Sequence, residues 1–418
     1  MSPVREDVTV IGRRLEPGDH DLRDFLTRAA QPYAYVEAGT PEADELIAAR
    51  GLTDPELPLV LEPGAVHAGA TIPGLAEAWS QSTHPSQKHY DVIIVGAGPA
   101  GLAAAVYAAS DGLSTLVVDE DVPGGQASHT SMIENFFGFP DGIGGAELAR
   151  LAGRQAEKFG AELALLSGVV SGTHDASGSV VQLAGGHEAS ADVLLAAPGM
   201  SWRRLELDGM DELLGRGAYY GAGRSEAAQC GGDDVVVIGA GNSAGQAVMN
   251  LGDAGARVTM VVRGDDLGKS MSAYLVDRIG RHPMIDVRLE TQVTELHADG
   301  GSLGGVTITD AGGAQERRPA SALFACIGGS PRTEWAAEHG VRTDARGFLV
   351  TGPDLLDAGR RPADWEPDRD PFPLETSVPG LFAAGDVRSG STKRVGSAVG
   401  EGAMAVALIH HRLAELRR

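Results

Sequence analysis

The chain has 418 residues, 43% apolar and 22% charged, which suits a folded protein with two or three domains, each with its own core. A formal net charge of −23 argues against a nucleic-acid partner, because proteins that bind phosphate backbones cluster Lys and Arg. Only two cysteines are present, Cys230 and Cys326, so neither a disulfide-stapled framework nor a CxxC pair exists. Charges stand in the opening MSPVREDVTV where a secretory core would be apolar, and no apolar run reaches membrane length; a cytoplasmic enzyme is expected.

Residues 1–79 alternate strand and helix patterns. VTVI (8–11) reads as a strand, HDLRDFLTRAA (20–30) as a helix and YAYVE (33–37) as a second strand. PEADELIAAR (41–50) is a helix opened by a proline, LPLVLE (57–62) a strand opened by Pro58, and IPGLAEAW (72–79) a closing helix. SQSTHPSQKH (80–89) is polar and aperiodic, and reads as a linker.

From Tyr90 the texture changes. YDVIIVGAGPAGLAAAVYAASDGLSTLVVDE is a buried strand, a glycine turn, an Ala-rich helix and a second strand ending in acids. From Asp234 the plan repeats as DVVVIGAGNSAGQAVMNLGDAGARVTMVVRG, which predicts an α/β protein with two Rossmann-like nucleotide-binding domains of three layers each. SVVQLAGGHEASADVLLAAPG and GVTITDAGGAQERRPASALFACIGG read as hairpin-like segments. DAGRRPADWEPDRDPFPLE (357–375) reads as a long loop, and VGSAVGEGAMAVALIHHRLAEL as a final helix.

The first turn spaces Gly96, Gly98 and Gly101 as GxGxxG directly after a strand, with Pro99 opening the helix. The first glycine permits the turn, the second lets the backbone approach a pyrophosphate, and the third allows helix and strand to pack closely. The phosphate then meets free N–H groups at the positive end of the helix dipole. Asp119, 23 residues after Gly96, closes the second strand where a carboxylate accepts from ribose hydroxyls. The second turn has Gly239 and Gly241, with Ala244 at the third place. Its second strand ends at Arg263 and carries no acid, which favours NADPH over NADH.

The motif order resembles the low-molecular-weight thioredoxin reductase family from Tyr90 to Arg418, about four-fifths of the chain. GAGPAG (96–101), PGGQ (123–126), IENFFGFP (133–140) and AAPG (196–199) are followed by GAGNSA (239–244), CIGGSP (326–331) and GLFAAGDV (380–387). The resemblance implies an FAD domain formed by 90–210 and 326–418, with an NAD(P)H domain at 211–325 inserted. FAD is then bordered by Gly125, Gln126, Asn135, Gly199 and Gly385. Asp386 holds its ribityl or pyrophosphate part, and the backbone at Arg394 and Val395, after Lys393, lies along the ring system. NADPH, with NADH as the alternative, falls to Gly239, Gly241, Asn242, Ser243, Ala244, Arg263 and Gly328. Homodimerisation is likewise implied by the resemblance. A flavin needs alignment more than acids or bases, and His129 is the one candidate general acid near it.

The departure from the family is the dithiol. Anchored on Arg216-Gly217, the family's CxxC falls on Gly221 and Arg224; shifted by one, on Ala222 and Ser225. Neither register holds a thiol, so Cys230 and Cys326 are read as buried small residues. Residues 1–79, with Leu57-Pro58, resemble a glutaredoxin or thioredoxin fold whose own dithiol position reads LEPGDHD, again without cysteine.

Three readings follow. The first is an FAD-dependent NAD(P)H oxidoreductase that passes electrons directly to an external quinone, small molecule, dioxygen or ferredoxin-like protein. The second is a reductase of a low-molecular-weight or partner disulfide. The third is a flavin-binding sensor or scaffold without catalysis.

Overall fold

The computed structural model describes residues 4–175, 178–221 and 224–418. The N-terminal unit runs β1 (Thr9–Gly12), α1 (Pro17–Arg28), β2 (Ala34–Glu37), α2 (Pro41–Ala49), β3 (Leu59–Leu61), β4 (Val66–His67) and α3 (Ile72–Ala78). Each helix has a proline in its first turn, where a missing N–H costs nothing. The Thr40 and Thr71 hydroxyls cap α2 and α3 by accepting from the Ala43 and Gly74 amides. The sheet order is β2-β1-β3-β4, with β1 parallel to β2 and antiparallel to β3. The Leu57-Pro58 peptide is cis. The third strand begins at Leu59, and β4 is an addition that a two-residue signal could not announce.

The first lobe follows as β5 (His89–Val95), α4 (Pro99–Ser110), β6 (Thr115–Val118), α5 (Gly145–Lys158), β7 (Glu162–Ala164), β8 (Val169–Asp175), β9 (Gly178–Leu183) and β10 (Glu188–Ala196). A short strand β11 (Met200–Trp202) leads to the second lobe. That lobe contains β12 (Ala218–Tyr220), α6 (Arg224–Gln229), β13 (Asp234–Ile238), α7 (Asn242–Asp253), β14 (Arg257–Val261), α8 (Ala273–Arg281), β15 (Ile285–Arg288), β16 (Thr291–Asp299), β17 (Ser302–Asp310), β18 (Gln315–Pro319) and β19 (Ala322–Ala325). The chain returns through β20 (Gly329–Pro331) to β21 (Leu381–Ala383) and α9 (Val395–Leu416).

The first-lobe sheet is ordered β7-β6-β5-β10-β9-β8. One edge of β10 pairs with β5; its other edge takes β9 in its first half and β21 in its second. The second lobe has a parallel sheet, β12-β19-β13-β14-β15, and an antiparallel one, β16-β17-β18. Strands β11 and β20 pair antiparallel where the chain leaves and re-enters the first lobe. The parallel strands are largely apolar, as strands covered on both faces tend to be, and β6, β19 and β21 are buried at every residue.

Two glycines fix how α9 meets the first turn. A Cβ at Gly402 would stand 2.1 Å from the Ala100 carbonyl oxygen, so α9 crosses α4 backbone to backbone. A Cβ at Gly385 would lie 2.9 Å from the Ala100 side chain. The start of α9 and the GLFAAGDV segment are thereby set beside the GAGPAG turn. Among the described residues, no helix is long and apolar enough to cross a membrane.

Candidate functional site

Both glycine turns open onto one cavity of about 1130 Å³. At the first, Gly96 has φ +110°, and a Cβ there would stand 2.2 Å from the Ala197 carbonyl oxygen. The second lobe repeats this at Gly239 (φ +146°), where a Cβ would stand 2.3 Å from the Cys326 carbonyl oxygen. Gly101 is required for a different reason: its Cβ would meet the Gly96 carbonyl oxygen at 1.9 Å. Ala244 stands in the equivalent place of the second turn and is buried.

Gly98 and Gly241 differ from these in having open space where a Cβ would stand. They are the N-cap residues of α4 and α7, and neither helix has a side-chain cap. The first-turn amides of both helices, which need an acceptor from outside the helix, therefore face the cavity. The arrangement fits a pyrophosphate at each turn.

The cavity wall gathers Gly98, Pro99, Asp119, Gly125, Gln126, His129, Gly199, Gly385, Asp386, Arg394 and Val395 with Gly239, Gly241, Asn242, Ser243, Arg263 and Gly328. Gly96, Gly101 and Ala244 shape the turns from behind. Asn135 is not brought into the wall; it stands exposed on the loop held by the Ile133–Ile143 bridge.

The polar groups of the wall are largely organised by the protein itself. The Asp119 carboxylate accepts from the Ala97 amide (2.6 Å) and the Asp121 amide (2.9 Å), which fixes strand end to glycine turn. Burial nevertheless pushes its carboxyl up to about 6. Gln126 donates to the Met200 carbonyl (2.9 Å), tying the PGGQ turn to β11. Burial raises Asp386 and lowers Lys393, and the attraction between the two opposes both shifts. In the second lobe Arg263 lines the cavity, whereas Lys269 is tied to Asp265 at 2.5 Å. Asn242 accepts from the Ser272 amide (2.8 Å), so it braces the turn as well as facing the cavity.

Some wall residues carry no sequence signal. Arg28, from α1 of the N-terminal unit, reaches the wall and pairs with Asp121 of the first lobe at 2.5 Å. Trp202 lies edge-on to His129, with ring centroids 5.6 Å apart. Arg332 pairs with Glu120 at the rim. Each contact joins segments far apart in sequence, and no local pattern announces such contacts.

Both cysteines are buried, and neither is in a disulfide. Burial drives the Cys326 thiol up to about 12. Arg14 approaches Cys230, with its Nη2 3.6 Å from Sγ. Gly221 is buried with φ +76°, and its Cβ position looks onto Trp202 (3.6 Å) and His129 (3.9 Å). Ala222 lies outside the described residues.

Residues 90–402 match the family described as pyridine nucleotide-disulphide oxidoreductase. The chain is 34% identical over 332 residues to a thioredoxin reductase of Bacillus subtilis (strain 168), covering 79% of this chain and 97% of the relative. A thioredoxin reductase of Treponema pallidum (strain Nichols) is 33% identical over 322 residues, or 76% and 94% of the two chains. Among solved structures, the thioredoxin reductase of T. acidophilum superposes with a TM-score of 0.69 at 29% identity, covering 78% of this chain and all of the other. That of Lactococcus lactis in its FR conformation gives 0.69 at 28% identity, covering 78% and 99%. The family uses FAD and NADPH, and this chain belongs to it: it is a thioredoxin reductase-like, FAD-dependent pyridine nucleotide-disulphide oxidoreductase.

Proposed function

We propose that this enzyme takes electrons from NADPH onto FAD and passes them from the flavin directly to an external acceptor, with no redox disulfide of its own. The observation that carries the reading is Gly221. In one register it stands where the family's first dithiol cysteine would fall, and neither register, Gly221 with Arg224 or Ala222 with Ser225, holds a thiol. The two cysteines that do exist are buried and not in a disulfide, and the Cys326 thiol is held far from ionisation.

FAD is assigned to the first turn with Asp119, Gly125, Gln126, Gly385, Asp386 and the start of α9. NADPH is assigned to the second, with Arg263 as the cation for its 2′-phosphate. When bound, the flavin accepts a hydride from the nicotinamide and gives it up again. The protein's part is to hold two ring systems against one another in a shared cavity, and the two open N-caps and the glycines behind them do this.

The N-terminal unit is read as a thioredoxin-like fold without redox function, on its β2-β1-β3-β4 order. Its cysteine-free loop before α1 lies on the second lobe beside the cysteine-free 216–221 segment. Glu16 pairs with Arg216 at 3.7 Å, and His20 packs on Tyr219 with ring centroids 4.7 Å apart. The two segments meet here without a thiol in either.

Anaerobic NADPH should bleach the flavin within seconds, and a quinone, dioxygen, dye or ferredoxin should restore its colour. A flavin that stays oxidised with both nicotinamides, or one reoxidised only by disulfides, would remove this reading. Arg263→Ala should raise KM for NADPH roughly tenfold and that for NADH less.

A further inference from the structure

We infer that α1 of the N-terminal unit completes the acceptor side of the cavity, with Asp24 positioning the His129 imidazole as proton donor to a quinone-class acceptor. The inference rests on the direct-transfer reading above and gives the N-terminal unit a part in it.

His129 lines the cavity and its side chain is about one-fifth exposed. Its ring and that of Trp202 meet edge to face, and a Cβ at Gly221 would touch the Trp202 ring and the His129 Cβ. Trp202 and the Gly125–Gln126 turn assigned to the flavin line the same cavity as His129, and an aromatic face with a proton donor suits a planar carbonyl compound.

Behind the ring stands α1. Asp24 Oδ1 is 3.8 Å from His129 Nδ1, a distance at which the carboxylate acts on the ring by charge and can close to a hydrogen bond when substrate binds. Asp24 Oδ2 accepts from Arg28 Nε at 2.6 Å, and Arg28 Nη1 donates to Asp121 of the first lobe at 2.5 Å. The carboxylate is therefore held by an arginine of its own helix that the first lobe in turn anchors through Asp121. The helix itself is fixed: Leu22, Phe25 and Leu26 pack in one cluster with Val122 and Leu166 of the first lobe. With Nδ1 turned to Asp24, Nε2 is the ring atom directed away from α1.

Reduction of a quinone to its hydroquinone takes two electrons and two protons. A hydride from the reduced flavin brings both electrons and one proton, and the imidazolium supplies the second proton from Nε2. The ring becomes neutral and regains its proton from solvent, so atoms and charge balance. Four charged or titratable groups act on His129: Asp24, Arg28 and His20 from α1, and Asp121 from the first lobe. Burial lowers its pKa, with Arg28 and His20 adding to that; the two carboxylates oppose it.

The test uses the full-length holoenzyme with a water-soluble benzoquinone, following reoxidation of prereduced flavin between pH 5 and 9. The wild-type rate should fall as pH rises through the imidazole pKa. Asp24→Asn should slow reoxidation about tenfold at neutral pH and move the fall to lower pH, because the carboxylate no longer favours the imidazolium. Asp24→Glu should restore much of the rate, and His129→Gln should abolish the fall. Arg14→Gln, which loosens the same interface at its other end, should leave the profile in place. A second readout is the His129 ring titration by NMR, assigned through His129→Gln, which should shift downward in Asp24→Asn. If quinone reoxidises wild type, Asp24→Asn and His129→Gln alike, or if Arg14→Gln moves the profile as Asp24→Asn does, the inference is overturned while direct transfer stands. If no quinone reoxidises the wild-type flavin, the inference fails even where the NMR shift is seen, and direct transfer falls with it only if dioxygen, dyes and ferredoxin fail as well.

Discussion

Arg14 and Asp233, 219 positions apart, form an ion pair at 2.7 Å that joins the loop before α1 to the start of β13. Asp233 also accepts from the Ser321 hydroxyl at 2.9 Å, so the N-terminal unit is moored on the second lobe's parallel sheet. Both side chains are about one-third exposed, which limits the gain. A double-mutant cycle of Arg14→Ala and Asp233→Ala, measured by denaturant unfolding, should give a coupling of about 1 kcal/mol that shrinks at high salt. Strictly additive effects would mean the pair is incidental.

The glycines of the first turn separate folding from binding. Gly101→Ala forces a Cβ to 1.9 Å from the Gly96 carbonyl oxygen and should cost about 3 kcal/mol of stability. Gly98→Ala meets open space and should change stability by less than about 1 kcal/mol. It should nevertheless weaken FAD retention at least roughly tenfold, because the added methyl occupies the approach to the pyrophosphate. Thermal unfolding and flavin release on dilution distinguish the two.

Asp119 gives a pH signature. Its folded carboxyl, pushed up to about 6, lies above its unfolded value, so the folded apoprotein binds this proton more tightly. The contribution is present below about pH 4 and is lost as pH rises to about 6. The unfolding free energy of the wild-type apoprotein minus that of Asp119→Asn should therefore decline by about 3 kcal/mol across that window and stay level above it. A difference that rises with pH would show a carboxylate held charged instead.

The thiols should be inert. Native protein should resist a disulfide reagent for many minutes at pH 8, and denatured protein should yield two thiols per chain. Cys230→Ser and Cys326→Ser should keep turnover with any acceptor the wild type uses. Loss of turnover in either variant, with the fold intact, would return a cysteine to the mechanism.

Features with local causes could be read from the sequence. A strand, a glycine turn and an Ala-rich helix state their own geometry, because the Gly96, Gly101 and Gly239 constraints lie within or next to the motif. Helix starts at Pro41 and Pro99 are equally local, whereas α1 begins at Pro17, three residues before the expected start at His20. What escaped notice depends on docking. Nothing in HDLRDFLTRAA marks Arg28 as a cavity residue or Asp24 as a neighbour of His129; both follow from the seating of α1 on Val122 and Leu166. Cys230 looked solitary in sequence, yet an arginine 216 positions away lies against it. Asn135 shows the reverse case: a motif residue named by resemblance sits on an exposed loop rather than in the wall.

The central claim is that the flavin is this chain's only internal redox group. Anaerobic reductive titration of the purified holoenzyme, followed by flavin absorbance, measures this directly. The account predicts that two electrons per bound FAD complete the reduction, and that an added quinone withdraws the same two. Uptake of four electrons per FAD, with two new thiols appearing, would contradict it.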